Sequence, residues 1–317
     1  MFRRTMLGAA PLALATPALA QSGAQIRLVV ANSPGGGTDQ VARLLAPQMQ
    51  SRLGASAVVV ENRSGASGVI GADLVAKSRP DGNTLLVTAA IFAITATAPN
   101  LPYDIRRDFA PVSLLAMLPT LLVVSPNFPA RTFQEFVAYA RANPGRVTYA
   151  SLGAASTQTL AGGLMKLRLG IELTNVPYRE AGPQMTELMS GQVDASFNNI
   201  VTTLAAVQAG RLRALAVALD ERWPTLPDVP TFRELGMPEL QASSWVGLLA
   251  PAGTPAPLVA RYAAIAREAM ALPELRSRIL ETGGLPVGSS PEEMATFLNS
   301  EINTWSEVIR TTGIKLD

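Results

Sequence analysis

A chain of 317 residues that is 48% hydrophobic and 16% charged has the composition of a well-buried globular protein, and its length favours two domains over one. It holds no cysteine and no histidine, which excludes disulfides, a cysteine-linked lipid anchor, histidine-based triads and general bases, and nearly every zinc site with standard ligands. Its 26 basic groups face 24 acidic ones, but two of the basic groups are Arg3 and Arg4; without them the charges balance, and no block of like charge invites nucleic acid or a membrane surface.

Residues 1–20, MFRRTMLGAAPLALATPALA, read as an export signal: a basic start at Arg3 and Arg4, an apolar middle over residues 6–15 broken by Pro11, and the small-x-small site Ala18-Leu19-Ala20 before Gln21. The apolar stretch is shorter than the roughly 20 residues that span a bilayer. Cleavage after Ala20 and a freely soluble periplasmic protein are expected. The arginine pair leaves both the general secretory and the twin-arginine routes open.

Residues 26–30 form a short apolar strand, and the glycine loop Pro34-Gly35-Gly36-Gly37 follows at once. Thr38 or Asp39 can cap a helix whose apolar positions Val41, Leu44, Leu45 and Met49 fall at helical spacing, with Pro47 expected to kink or shorten it. A second strand over 57–60 runs into the small-residue loop 64–68, then a helix over about 69–78, a proline-glycine turn at Arg79-Pro80-Asp81-Gly82, and a third strand over 84–88. Strand, loop and helix in alternation predict a parallel α/β layer whose loops gather at the carboxyl ends of the strands. The pattern restarts after about Pro119: a strand at 120–124, a helix capped by Thr132 and running to about 142, a strand at 146–150, and a third small polar loop at 151–158 before another helix. Further strands are expected at 174–176, 195–198 and 212–217, with a helix over 183–190. Three prolines within 223–230 make that stretch a surface loop. From about Pro257 onward the chain reads as helical, over 258–271, 274–282 and 291–310, the last opened by Pro291-Glu292-Glu293 after Ser289-Ser290.

The glycine loop decides the chemistry. A phosphate-binding P-loop needs a lysine beside its terminal Ser/Thr, and the nearest, Lys77, is far downstream. A dinucleotide fold needs spaced glycines, whereas these three are adjacent. A small carboxylate fits better, because unpaired N–H groups at a helix start and the positive end of its dipole stabilise it without a charged side chain. The alternative is a plain strand-to-helix turn; the loops at 64–68 and 151–158, opening on the same edge, favour the anion site. Asp39, in the first helical turn, is expected to cap or to hold water rather than to touch an anion. Catalysis has little support. No lysine lies three residues after a serine, and the acidic residues Glu61, Asp73, Asp81, Glu187 and Asp194 are scattered. No cofactor and no metal are expected.

Taken together, Pro34-Gly35-Gly36-Gly37-Thr38-Asp39 with Ala42-Arg43, Val60-Glu61-Asn62-Arg63 with Gly65-Ala66-Ser67-Gly68, Arg79-Pro80-Asp81-Gly82, Val176-Pro177-Tyr178-Arg179, Gly191-Gln192-Val193-Asp194, the run Gly210 to Val217, and Leu226-Pro227-Asp228-Val229-Pro230 resemble the Bug family of periplasmic solute receptors, the substrate-binding components of tripartite tricarboxylate transporters. Trp245 and Ala250-Pro251-Ala252-Gly253-Thr254-Pro255 extend the likeness over essentially the whole chain after the signal.

The resemblance implies an α/β, two-domain periplasmic-binding-protein (Venus flytrap) fold, each domain a mixed, mostly parallel sheet flanked by helices. It divides the chain into domain 1, residues 21–123 plus 245–317, and domain 2, residues 124–244. It implies a ligand carboxylate held by backbone groups and ordered water: Gly36, Gly37, Thr38 and Asp39 match the first loop, Ala66 and Ser67 the second, Ser156 and Thr157 the third. Asn198 is the expected contact from a strand end of the second domain. The implied partners are the small carboxylate, two integral membrane subunits of a transporter and, as an alternative reader, a sensor kinase; the receptor itself would be a monomer. A periplasmic enzyme acting on a small carboxylate is the rival reading. Arg179-Glu180 stands where the family usually has lysine-glycine, and Ala155 and Thr159 replace a glycine and a histidine of the third loop. These departures bear on the far end of the ligand, not on the fold.

Overall fold

The computed structural model describes residues 25–315 apart from 99, 154 and 155. The expected export signal and its cleavage point lie outside the described residues. The first layer builds as the alternation dictates: β1 (Gln25–Val30), α1 (Gly37–Leu53), β2 (Ala57–Asn62), α2 (Val69–Ala76) and β3 (Thr84–Ala89), with β1 parallel to both β2 and β3. α1 continues past Pro47 to Leu53, so the proline does not shorten it. Pro47 lies on the exposed face, where water can serve the carbonyl that loses its donor. A short α3 (Ile91–Ile94) leads to β4 (Phe109–Leu118), and one residue, Pro119, separates β4 from β5 (Thr120–Val124), which belongs to a different sheet.

The second layer follows: α4 (Phe133–Ala142), β6 (Val147–Ser151), α5 (Thr157–Leu169), β7 (Leu173–Pro177), α6 (Ala181–Ser190), β8 (Ala195–Asn199), α7 (Ile200–Gln208) and β9 (Arg213–Val217). Its strands lie in the order β7-β6-β8-β5-β9, with β6 parallel to β7 and β8, and β5 antiparallel to both neighbours. Thr132 caps α4, accepting from Glu135 N at 3.2 Å. The proline-rich stretch after β9 is irregular and crosses back. β10 (Ser244–Pro251) then inserts between β3 and β4, antiparallel to both, and completes a sheet of order β11-β4-β10-β3-β1-β2, where β11 is Leu285–Pro286. α8 (Ala256–Ala271), α9 (Pro273–Glu281) and α10 (Pro291–Thr312) close the chain. Ser290 and Glu293 form a reciprocal cap at the start of α10.

Each sheet is covered on both faces. In the first, Leu28, Val30, Leu85 and Val87 pack with Leu45, Met49 and Tyr262 of α1 and α8, while Val29 and Leu86 face α2 and α3. α10 buries Met294, Leu298, Ile302, Trp305 and Val308 at helical spacing. It packs on β4 and α3, and its second half meets α5 of the other layer. Gly163 permits that approach: a Cβ there would stand 2.9 Å from Ile314 Cδ1 and 3.1 Å from Val308 Cγ1. Arg168 and Glu307 add an ion pair at 2.6 Å.

Candidate functional site

The carboxyl ends of β1, β2 and β3 carry the loops that face the second layer, and the start of α5 faces back. Between them lies a cleft of about 380 Å³. Ala31, Asn32 and Ser33 after β1, Ser64, Gly65, Ser67 and Gly68 after β2, Ala89 and Ile91 around the end of β3, Ser156 and Thr157 at α5, and Ser244 at the crossing strand line it. Among these described residues none is ionisable.

The first loop is tied by Asp39, which is 3% exposed. Its Oδ2 accepts from Gly35 N at 2.9 Å and from Arg43 Nε at 3.0 Å, and its Oδ1 accepts from Asn62 Nδ2 at 2.9 Å. Asn62 Nδ2 also donates to Asn32 O at 3.2 Å, so the end of β2 holds the strand exit of β1. Burial pushes the Asp39 carboxyl upward, but the bonds from Arg43, Gly35 N and Asn62 outweigh it and hold the carboxyl below the usual value of 3.8. Asp39 is thus a knot inside the loop. Its backbone N–H, with those of Gly37 and Thr38, sits in the first turn of α1, where the helix supplies no acceptor.

The second loop is strained. Gly65, Ala66, Ser67 and Gly68 have φ of 128°, 45°, 55° and 90° in succession, and two of these residues carry side chains. A left-handed turn of this kind costs on the order of 1 kcal/mol or more for each side-chain-bearing residue, so its surroundings must enforce it. Gly71 is one cause: a Cβ there would lie 2.7 Å from Arg63 O and 3.0 Å from Ala31 Cα, so only glycine lets α2 press on both loops.

The third loop ends at Ser156, whose Oγ caps α5 by accepting from Thr159 N at 3.2 Å. Gln158 Oε1 accepts from Leu152 N at 2.7 Å, and its Nε2 donates to Asn198 Oδ1.

Ser67, Ser156 and Thr157, expected from the sequence, meet on the cleft wall, and Ala66 lies in the strained turn beside it. Thr38 and Asp39 are buried in the base of the first loop, and Gly36 is exposed outside the cleft. Gly37 looks the other way: its Cβ position is 3.2 Å from Leu118 Cδ1, and it lines a neighbouring gap with Asn199, Val201 and Thr282. Asn198 is 4% exposed and roofed by Gln158, which keeps it off the wall. Arg179 and Glu180 are exposed and do not line the cleft. Sequence reasoning missed Ala31, Asn32 and Ser33, although polar residues straight after an apolar strand were a usable signal. Ser244 gave none, because β10 has no alternating pattern. Among the described residues no cluster of acids could hold a metal, and no helix is long and apolar enough to cross a membrane.

Two mixed α/β sheets joined by crossing segments, with small-residue loops converging on an intervening cleft, are the architecture of a periplasmic binding protein. Residues 41–314 match the model of the tripartite tricarboxylate transporter family receptor, and the chain belongs to that family. It is 36% identical to Protein BugT of Bordetella pertussis over 294 residues, covering 92% of this chain and 90% of that one. Among solved structures it resembles MatC from Rhodopseudomonas palustris with bound malate, at 36% identity and a TM-score of 0.71 over 90% of this chain and 99% of the other. It also resembles an R. palustris protein solved with adipate, at 34% identity and a TM-score of 0.74 over 92% and 97%.

Proposed function

We propose that this protein is a periplasmic receptor that captures a small carboxylate between two lobes and delivers it to two integral membrane subunits of a tripartite tricarboxylate-type transporter. The observation that carries the reading is a cleft wall without ionisable groups, built from strand-end loops and the start of α5. Such a wall binds an anion through main-chain N–H groups, hydroxyls and water, and has no nucleophile-and-base pair to turn it over. Malate and adipate in the related structures support the carboxylate class.

The lobes pivot where the chain passes between sheets, at Pro119 and just before Ser244. Ligand bridging the loops of both lobes stabilises the closed form by the contacts that only this form provides, and closure is what the membrane subunits read. The chain is exported, with its signal removed after Ala20, and works as a monomer without a cofactor.

The test is a panel of carboxylates incubated with the purified chain lacking residues 1–20. Melting is followed with and without each acid, and the recovered ligand is analysed by NMR. One acid returned unchanged at one per chain, adding about 2.7 kcal/mol of stability at 100 times its Kd, is the expected result. Saturable product formation, or no stabilisation by any acid, would overturn the reading.

A further inference from the structure

Six of the polar side chains on the cleft wall, those of Asn32, Ser33, Ser64, Ser67, Thr157 and Ser244, make no hydrogen bond within the described structure, whereas Ser156 is engaged as a cap. Five of the six are hydroxyls, which rotate to suit water. Asn32 differs. Its amide is planar, with donors and acceptor at fixed positions; its Oδ1 is buried without a partner, and its Nδ2, which also has no partner among the described residues, is the end a ligand can reach. Its main chain is pinned at the same time, because Asn62 donates to its carbonyl and Asn62 is held by Asp39. Asn32 is therefore held at the wall by its main chain, with its amide unsatisfied.

The chemistry of the wall narrows what can satisfy it. A ligand ammonium needs an anion, and the carboxylate nearest in the chain, Asp39, is buried and already takes three donors. A second carboxylate gains most from a cation, and none lines the cleft. A neutral hydroxyl pairs with an amide without adding charge. An unsubstituted alkyl chain or an aromatic ring laid over Asn32 on closure would seal in a polar group with no partner, and sites built around such a group discriminate strongly against analogues that lack its complement.

We propose that Asn32 is a specificity-determining residue whose amide pairs with a hydroxyl on the ligand, so that the receptor selects hydroxycarboxylates over their unsubstituted counterparts. This rests on the carboxylate-receptor reading and goes beyond it. Lactate against propionate, malate against succinate, and benzoate as an aromatic control are titrated calorimetrically into the wild type and into Asn32→Ala and Asn32→Leu. Circular dichroism confirms that both variants are folded; the partly exposed position and the main-chain role of the Asn32 carbonyl favour that.

In the wild type at least one hydroxy acid is expected to bind about 30-fold or more tighter than its partner. In both variants the ratio should fall below about threefold, through weaker binding of the hydroxy acid. Equal affinities in the wild type, an unchanged ratio in the variants, or binding confined to unsubstituted or aromatic acids would overturn the assignment while leaving the receptor reading intact. Failure of every carboxylate to bind would instead sink the receptor reading and the assignment with it.

Discussion

Asp39→Asn tests the knot that shapes the first loop. The substitution keeps the volume but must place an NH₂ where one oxygen stood. At the Oδ2 position it would confront two donors, Gly35 N and Arg43 Nε; at Oδ1 it would confront Asn62 Nδ2, which can turn only by surrendering Asn32 O and the bond its own Oδ1 accepts from Arg43. The Arg43 side chain is 53% exposed, so its share is discounted to under about 1 kcal/mol. The part-buried bonds from Gly35 N and Asn62 contribute roughly 1–1.5 kcal/mol each, giving a loss of about 2–3 kcal/mol. At roughly 2–4 °C per kcal/mol, Tm should fall by about 5–10 °C at pH 7, measured by circular dichroism. The folded-state pKa of Asp39 is depressed, so its stabilisation is fully present above the ordinary value of 3.8 and is lost as pH falls through the folded value. The gap between variant and wild type should therefore narrow only below about pH 4. A Tm within 1 °C of wild type at pH 7, or a gap undiminished at pH 3, would refute the reasoning.

Glu301 accepts the indole N–H of Trp245 at 2.8 Å and of Trp305 at 3.0 Å, both rings being fully buried. Glu301→Ala strands both donors and should cost about 2–4 kcal/mol in urea unfolding; a loss under about 0.5 kcal/mol would count against the clamp. Burial raises the Glu301 carboxyl above its usual range against the pull of the two indoles, so its ionisation lowers stability as pH rises through the folded pKa. Glu301→Gln should accordingly gain on the wild type in melts at pH 8 relative to melts near pH 4, and a constant difference would disprove the linkage. Gly71→Ala drives a Cβ into Arg63 O and Ala31 Cα, and should weaken ligand binding at least tenfold by calorimetry, with about 1–3 kcal/mol of stability lost. Unchanged affinity would show that α2 does not set the two loops.

Much of the fold could be read from local pattern. Residues 120–124, the Thr132-capped helix and the irregular proline stretch at 223–230 all appear where their propensities place them. What escaped was non-local. β4 and β10 lie at the heart of the first sheet, buried on both faces, so Val112, Leu115, Val246 and Leu248 show none of the alternation that marks a half-exposed strand. The site was legible as three loops but not as a wall. Glycines at 35–37 drew the eye, yet helix geometry turns Gly37 toward Leu118, and the cleft is met instead by Asn32 and Ser33 one step earlier in the chain. The left-handed turn at Ala66 and Ser67 had no signal in residue type, because neither favours positive φ; the surrounding packing imposes it.

The insertion of β10 between β3 and β4 carries a consequence for how the chain matures. No central sheet can exist in the first lobe until residues 244–251 have emerged from the ribosome, since β3 and β4 are not neighbours without the strand that separates them. Pairing across well over a hundred positions is slow. The first sheet is thus closed only after every strand of the second, β5 to β9, has been made.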